Sequence, residues 1–210
     1  GPAGCATAYA LAKAGLEVLV IERGKFPGAK NMFGGMLCGS VLAQLIPNFW
    51  EEAPLERYIT RHVITFLSRE DSFSIDFQSP SFGKPPYNGY SVLRAKFDKW
   101  LAGKVEEAGA IIVPGLLVED LLWDGNQVVG VKAGGEDFPA SVVIAADGVN
   151  SLLAQKAGLA EELSTEYVSL GVKELIQLPS EIIQERFNLE DDEGVTQLFD
   201  GFCTKGMHGG

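Results

Sequence analysis

Cysteine is scarce in this sequence. Its three cysteines, Cys5, Cys38 and Cys203, lie far apart and form no CxxC or CxxH spacing. Zinc sites and iron–sulfur clusters need closely spaced ligands, and small disulfide-bonded domains need more cysteines than this. We therefore expect three reduced thiols of a cytosolic protein, none of them catalytic, and no metal site.

Positive charge and long apolar runs are also lacking. The chain has 17 lysines and arginines against 28 aspartates and glutamates, a formal net charge of −11. Charge alone therefore disfavours binding to nucleic acid or to an anionic membrane surface. The uncharged stretch 31–50 is interrupted by glycine, proline and asparagine, so we expect no transmembrane segment. We find no internal repeat and no Ser/His/Asp signature.

The composition is that of an ordinary globular protein. The chain has 210 residues, of which 46% are hydrophobic and 21% charged. This length allows one large domain or two small ones with a substantial core.

The first 24 residues have the pattern of a dinucleotide-binding turn. Gly1, Ala3 and Gly4 open a predicted helix that Gly15 ends, and residues 17–22 predict a buried parallel strand. Glycines in such a turn let a pyrophosphate reach the unpaired N–H groups of the helix N-terminus. The pattern therefore predicts a nucleotide cofactor.

Glu22 ends this strand, 18 positions after Gly4. An acid about 20 residues after the turn accepts hydrogen bonds from a ribose in this class of domain. Its negative charge disfavours a 2′-phosphate, so FAD or NAD fits better than NADP. The alternative is an ordinary tight turn followed by a solvated glutamate.

The strand that normally precedes such a turn is missing. Gly1 corresponds to the second glycine of GxGxxG, and no Val/Ile-rich strand comes before it. We therefore expect the sequence to be part of a longer protein. Upstream sequence without such a strand would contradict this expectation.

A glycine-rich loop is predicted from Arg23 to Gly39. Loops of this length in compact domains are usually functional, and Gly34 and Gly35 would let the backbone approach a flat ligand. A surface loop is the alternative. A short helix is predicted from Ser40, as its N-cap, to Leu45.

The next segments predict a second, antiparallel layer. Residues 59–67 and 73–77 have strand patterns, and His62 is expected to be structural. A helix follows with Phe97, Leu101 and Val105 on one face, and Gly109 at its end.

The chain then returns to the nucleotide-binding pattern. We predict a parallel strand at 110–113, a hairpin of 116–123 with 128–132, and a buried strand at 142–146. Asp147 follows that strand, where ligands bind in such sheets. It is also placed to cap a helix at 152–157, and both roles are compatible.

The remaining residues predict a further excursion, with strands at 168–178 and 194–202 and a helix at 180–187. His208 has no partner that the sequence identifies. We predict an α/β fold: a discontinuous Rossmann-like domain of glutathione-reductase type (1–50 and 91–160), lacking its first strand, and an inserted antiparallel β-rich domain on the substrate or acceptor side (51–90 and 161–210).

With these motifs placed, the sequence resembles the FAD-dependent oxidoreductases of the para-hydroxybenzoate hydroxylase fold. Within them it is most similar to the FixC-type electron-transfer flavoprotein–quinone oxidoreductases, which are close to the geranylgeranyl reductases. Essentially the whole chain takes part, through GPAG with IERG, PGAKNMFGGML, YSVLRAKFDKWL, and AADGVNS followed by GVKELIQLP. PGAKNMFGG and GVKELIQLP are the narrower motifs.

The resemblance implies FAD as the cofactor and assigns it a set of contacts. The pyrophosphate would lie at the first turn, and the adenosine ribose at Glu22. The isoalloxazine would lie near Gly34 and Gly35, and the ribityl or phosphate region at Arg94. The adenine would meet the backbone of Val118. The implied residues are Gly1, Pro2, Ala3, Gly4, Glu22, Arg23, Gly34, Gly35, Arg94, Val118, Asp147 and Gly148.

The implied chemistry is electron transfer from an electron-transfer flavoprotein to a quinone or a ferredoxin-like protein, with no catalytic acid or base in this chain. The alternatives are a geranylgeranyl reductase-type enzyme, an aromatic hydroxylase, or a non-catalytic piece unable to hold FAD. The last is motivated by the missing strand and by the family's second flavin motif, a GD-containing turn, which we expect after Gly210.

Overall fold

The computed structural model describes residues 1–31, 35–168 and 171–204. The chain divides into two compact units, each built from two separate stretches. Unit 1 consists of Gly1–Met32 and Arg94–Lys173, and unit 2 of Phe33–Leu93 and Glu174–Gly210.

The described residues contain five α-helices and ten strands. The helices are α1 (Pro2–Lys13), α2 (Gly39–Leu45), α3 (Arg94–Glu107), α4 (Leu152–Lys156) and α5 (Ser180–Phe187). The strands are β1 (Leu19–Glu22), β2 (Met36–Cys38), β3 (Leu55–Leu67), β4 (Ser72–Gln78), β5 (Gly89–Val92), β6 (Ile111–Pro114), β7 (Val118–Asp124), β8 (Gln127–Ala133), β9 (Glu136–Pro139) and β10 (Glu193–Gly201).

Unit 1 contains the predicted helix–strand pair. Helix α1 has Pro2 in its first turn, where a missing N–H costs nothing, and it ends before Gly15, whose φ of +81° suits glycine. Strand β1 is two residues shorter than predicted, and it pairs in parallel with β6, Leu19 opposite Ile111. This parallel pair is the Rossmann-like part of the unit.

Helix α3 packs on α1 through the face that the sequence predicts. Phe97, Leu101 and Val105 are buried, and Gly109 follows the helix with a φ of +101°. Burial of three large apolar side chains on one stripe holds α3 in place, since each contributes about 1.5–3 kcal/mol of transfer free energy.

The prediction of a buried strand at 142–146 is wrong. The segment forms no ladder with any described strand, and Val142 and Ile144 are 73% and 52% exposed. An apolar run becomes a strand only when a neighbour offers backbone partners, and in the described structure none lies beside it. The predicted hairpin is present as β7 and β8, and β9 extends it to three strands.

Unit 2 is organised on the long strand β3. The start of β3 pairs with β5, its later part with β4, and both pairings are antiparallel. Strand β10 runs parallel along the other edge, with Tyr58 opposite Glu193 and Leu67 opposite Gly201. The sheet is therefore mixed where the sequence predicted an antiparallel layer.

Two further predictions in unit 2 need correction. The described residues of 168–178 form no strand, because no neighbouring strand pairs with them. The loop predicted to run to Gly39 ends earlier, since β2 pairs with β5. Helix α2 begins at Gly39, not Ser40, and a Cβ at Gly39 would lie 2.6 Å from the Tyr87 carbonyl oxygen, so this position favours glycine.

The interior of unit 2 buries two hydroxyl groups that have no hydrogen-bond partner among the described residues. They belong to Thr60 and Tyr90. Burial raises the pKa of Tyr90 well above its usual range, with Tyr87 adding to the rise. In contrast, the hydroxyl of Thr65 lies 2.9 Å from that of Ser74 on β4.

Candidate flavin-binding site

The N-terminus of α1 presents unused hydrogen-bond donors. The first intrahelical bond runs from the Cys5 N–H to the Gly1 carbonyl, 3.0 Å long. Pro2 has no N–H, and the N–H groups of Ala3 and Gly4 meet no acceptor within the described part of the chain. No acidic residue lies within this first turn, so the N–H groups of Ala3 and Gly4 are available to an anionic ligand.

The carboxylate of Glu22 lies beside this turn. Its Oε1 accepts a hydrogen bond of 2.6 Å from the Gly24 N–H, and its Oε2 lies 3.3 Å from the Gly1 nitrogen. Each carboxylate oxygen has a second lone pair, so Glu22 can still accept from a ligand hydroxyl. The structure thus brings together Gly1 and Glu22, as their spacing predicts. Arg23, next in the chain, is exposed.

The segment carrying Asp147 and Gly148 also lies near α1. A Cβ at Gly4 would be 3.4 Å from the Cβ of Ala146, which is ordinary van der Waals contact, so the two segments lie side by side here. Asp147 accepts a 2.8 Å hydrogen bond from the Leu153 N–H at the start of α4. The Asp147 side chain thus satisfies an N–H at the start of α4, although the N-cap residue is Ser151. The role of Asp147 toward a ligand stays a prediction, as does that of Gly148.

Val118 lines a shallow, open and mostly apolar cavity of about 550 Å³ between β7 and α4. Its rim is held by Lys156, whose Nζ donates to the Glu119 carbonyl at 2.8 Å and lies 3.2 Å from the Asp120 carboxylate. The Leu121 N–H, with Lys156, holds the pKa of Asp120 below its usual value. A cavity of this size beside a strand backbone can receive a planar ring such as adenine.

Arg94 starts α3 and is held by a partner that the sequence reasoning missed. Its Nε donates to Asp98 Oδ1 at 2.8 Å and its Nη2 to Oδ2 at 3.0 Å. Asp98 is 1% exposed. The signal was present: an aspartate beside Phe97 on the buried face of a helix, four residues after an arginine.

The glycine pair predicted to lie near the isoalloxazine is only half described. Gly34 lies outside the described residues. Gly35 belongs to unit 2, where its carbonyl accepts a 3.2 Å hydrogen bond from the Val92 N–H. The role of both glycines toward a flavin stays a prediction.

The thiols and the histidine have the environments that the sequence reasoning expected. All three cysteines are free, with Cys5 buried on α1 and the other two exposed. Burial raises the pKa of the Cys5 thiol; the Gly1 amino group opposes this rise, while Asp98 and Glu22 add to it. His62 is structural, with its Nδ1 2.7 Å from the Thr196 hydroxyl.

Metal-ligand clusters and membrane-spanning helices are both absent from the described residues. No group of three or more His, Cys, Asp or Glu side chains could hold a metal ion. No helix among these residues combines the length and the apolar character that crossing a bilayer requires.

Comparison with known proteins identifies the family. The profile of the FAD dependent oxidoreductases matches residues 1–192. This chain belongs to that family. It is 45% identical over all of its 210 residues to protein FixC of Salmonella typhi, and 44% identical to a probable electron transfer flavoprotein-quinone oxidoreductase, YdiS, of Escherichia coli K12. The chain spans 49% of each of these relatives, about half their length.

Solved structures show the same fold. A geranylgeranyl bacteriochlorophyll reductase-like protein from Thermoplasma acidophilum superposes with a TM-score of 0.70 at 24% identity, over 96% of this chain and 48% of that one. The flavin-dependent brominase Bmp2 gives a TM-score of 0.61 at 25% identity, over 77% of this chain and 39% of that one. The predicted fold class, the resemblance and FAD as the family's cofactor are thereby confirmed.

The residues of unit 1 fit this cofactor. The open donors of Ala3 and Gly4 suit a pyrophosphate, and the Glu22 carboxylate suits a ribose hydroxyl. The cavity beside Val118 suits a flat ring. FAD carries these three groups in one molecule.

Proposed function

We propose that this chain forms the FAD-binding portion of an oxidoreductase that passes electrons from an electron-transfer flavoprotein to a quinone or a ferredoxin-like protein. The single observation that carries the proposal is the pairing of an open helix N-terminus with the Glu22 carboxylate. The electron-transfer flavoprotein and the quinone are inferred from the name of YdiS and from the similarity to it, and the ferredoxin-like protein from the family resemblance alone. A quinone acceptor would place the protein in the cytoplasm, peripheral to the inner face of the membrane.

The bound flavin would supply the redox chemistry, and the protein would bind and orient it. In unit 1, the Ala3 and Gly4 N–H groups would donate to the pyrophosphate, and Glu22 would accept from the ribose. Arg94 would add a permanent positive charge, and the backbone of Val118 would meet the adenine. Asp147 and Gly148 would complete the pyrophosphate and ribityl side.

The two units take different roles in this proposal. Unit 1 would be the FAD-binding domain, whereas unit 2 would belong to the substrate or acceptor side. The boundaries predicted at residues 50, 90 and 160 differ from those of the compact units, and a FAD footprint by limited proteolysis would choose between them.

The test measures FAD binding by the purified 210-residue chain, with flavin fluorescence as the signal. Glu22→Gln removes the charge of the ribose acceptor, and we expect it to weaken FAD binding about 10- to 100-fold, the value of a charged hydrogen bond of roughly 1.5–3 kcal/mol. The matched control is Glu17→Gln, an exposed glutamate just before β1. Equal affinities of the two variants would contradict the role of Glu22, and a wild-type chain that stays colourless would contradict the proposal.

The donor is tested separately by stopped-flow reduction of the FAD-loaded chain. Reduced electron-transfer flavoprotein should bleach the flavin, while NADPH should not. Rapid bleaching by NADPH in the presence of an aromatic substrate would favour the hydroxylase alternative.

A further inference from the structure

We propose that Asp98 is a positioning residue that aims the guanidinium of Arg94 at the anionic part of FAD, and that Gly28 keeps Asp98 in place. This inference rests on the proposed function of unit 1. It concerns a buried carboxylate to which the similarity to known proteins assigned no role.

The geometry of the pair leaves part of Arg94 free to bind. Two parallel hydrogen bonds to Asp98 use Nε and one N–H of Nη2. Nη1 and the second N–H of Nη2 have no acceptor within the described residues, although the Arg94 side chain is only 19% exposed. Because one edge of the guanidinium is fixed by Asp98, the remaining N–H groups of Nη1 and Nη2 point in a fixed direction, which suits bidentate contact with a phosphate.

The surroundings connect this pair to the candidate site. Helix α3, which carries both residues of the pair, packs on α1, whose N-terminus is the candidate pyrophosphate site. The loop after β1 carries the Gly24 N–H that binds Glu22, and four residues later it brings Gly28 against Asp98. The Arg94–Asp98 pair is therefore in contact with the same loop whose Gly24 N–H binds Glu22.

Gly28 leaves no freedom for Asp98 to move toward the loop. Its φ is +87°, and a Cβ there would lie 2.4 Å from the Cβ of Asp98. Only glycine satisfies both conditions, so the loop closes directly over the carboxylate. Water is thereby kept from Asp98, and its hydrogen bonds to Arg94 are stronger in this dry environment.

Stability alone is a poor explanation for the pair. An ion pair at this helical spacing can stabilise a helix while it is exposed to solvent, so helix stability does not explain the burial of this one. A buried pair often contributes little net stability, because both charges lose their hydration. What a buried bidentate pair does provide is a single direction for the arginine.

The test is a double-mutant cycle on FAD affinity in the full chain, with Asp98→Asn, Arg94→Gln and the double variant, and with thermal unfolding of each apo protein measured alongside. We expect Asp98→Asn to weaken FAD binding about tenfold and Arg94→Gln at least as much. The double variant should bind like Arg94→Gln alone, because Asp98 acts only through Arg94.

Independent effects, in which the two losses multiply in the double variant, would overturn the proposal. So would an Asp98→Asn variant that binds FAD as tightly as the wild type or more tightly, whatever its unfolding temperature. If Asp98→Asn fails to fold, Asp98→Glu replaces it in the same cycle, with both charges retained, the carboxylate displaced by one methylene, and the same expectation. A wild-type chain that binds no FAD overturns the proposed function and this inference with it.

Discussion

Two threonines on β3 allow a matched test of hydrogen bonding inside unit 2. Thr60 is 1% exposed and Thr65 is 8% exposed. The Thr60 hydroxyl has no partner within the described structure, whereas the Thr65 hydroxyl bonds to Ser74. Valine replaces threonine at nearly constant volume and removes only the hydroxyl, so the two substitutions differ mainly in what that hydroxyl contacts.

The expected effects have opposite signs. A buried hydroxyl without a partner costs about 1–3 kcal/mol of desolvation, so Thr60→Val should raise the free energy of unfolding by about 1 kcal/mol. Thr65→Val removes a hydrogen bond of about 0.5–1.5 kcal/mol and should lower it by a similar amount. Tyr90→Phe, which removes the other unpartnered hydroxyl, should behave like Thr60→Val.

The measurement is urea unfolding followed by the fluorescence of Trp50, which lies in unit 2. Trp100 and Trp123 lie in unit 1 and are replaced by phenylalanine in every variant, so that the signal reports unit 2 alone. If Thr60→Val destabilises unit 2 as much as Thr65→Val does, the Thr60 hydroxyl has a partner in solution and the reasoning is wrong.

Two more predictions concern the thiols and acid stability. A thiol reagent should label Cys38 and Cys203 rapidly and Cys5 only on unfolding, since Cys5 is buried with a raised pKa; fast labelling of all three would contradict this burial. The Arg61 hydrogen bond holds the pKa of Asp76 below 3.8, so its contribution to stability is present above that pH and is lost as the pH falls below it. Asp76→Asn should therefore lose less stability than the wild type as the pH falls below about 4, and parallel acid-unfolding curves would refute the role of the pair.

The elements that the sequence predicted well are those with local signals. Helix α1 has Pro2 at its start and Gly15 after its end, and α3 repeats its apolar residues every three to four positions. The turn between β7 and β8 has the Asp-Gly pattern typical of hairpins. The position of Glu22 also followed from local spacing, because a short strand carries it back to the start of α1.

The elements that it predicted poorly depend on partners far along the chain. Residues 142–146 have the composition of a strand, but strand formation requires a neighbour, which composition does not reveal. The parallel direction of β10 is likewise set by its pairing with β3. The burial of Asp98 was not predicted, because an acid on an apolar helix face is expected to be buried only if a partner such as Arg94 is recognised with it.

The interleaved path of the chain has a consequence for synthesis and for dissection. Strand β1 emerges early from the ribosome, but its partner β6 follows only after the whole first stretch of unit 2. Unit 1 therefore stays incomplete until its second stretch has been synthesised. For the same reason no single cut yields either unit as a continuous piece, and excising unit 1 would require a new covalent junction across the excised stretch.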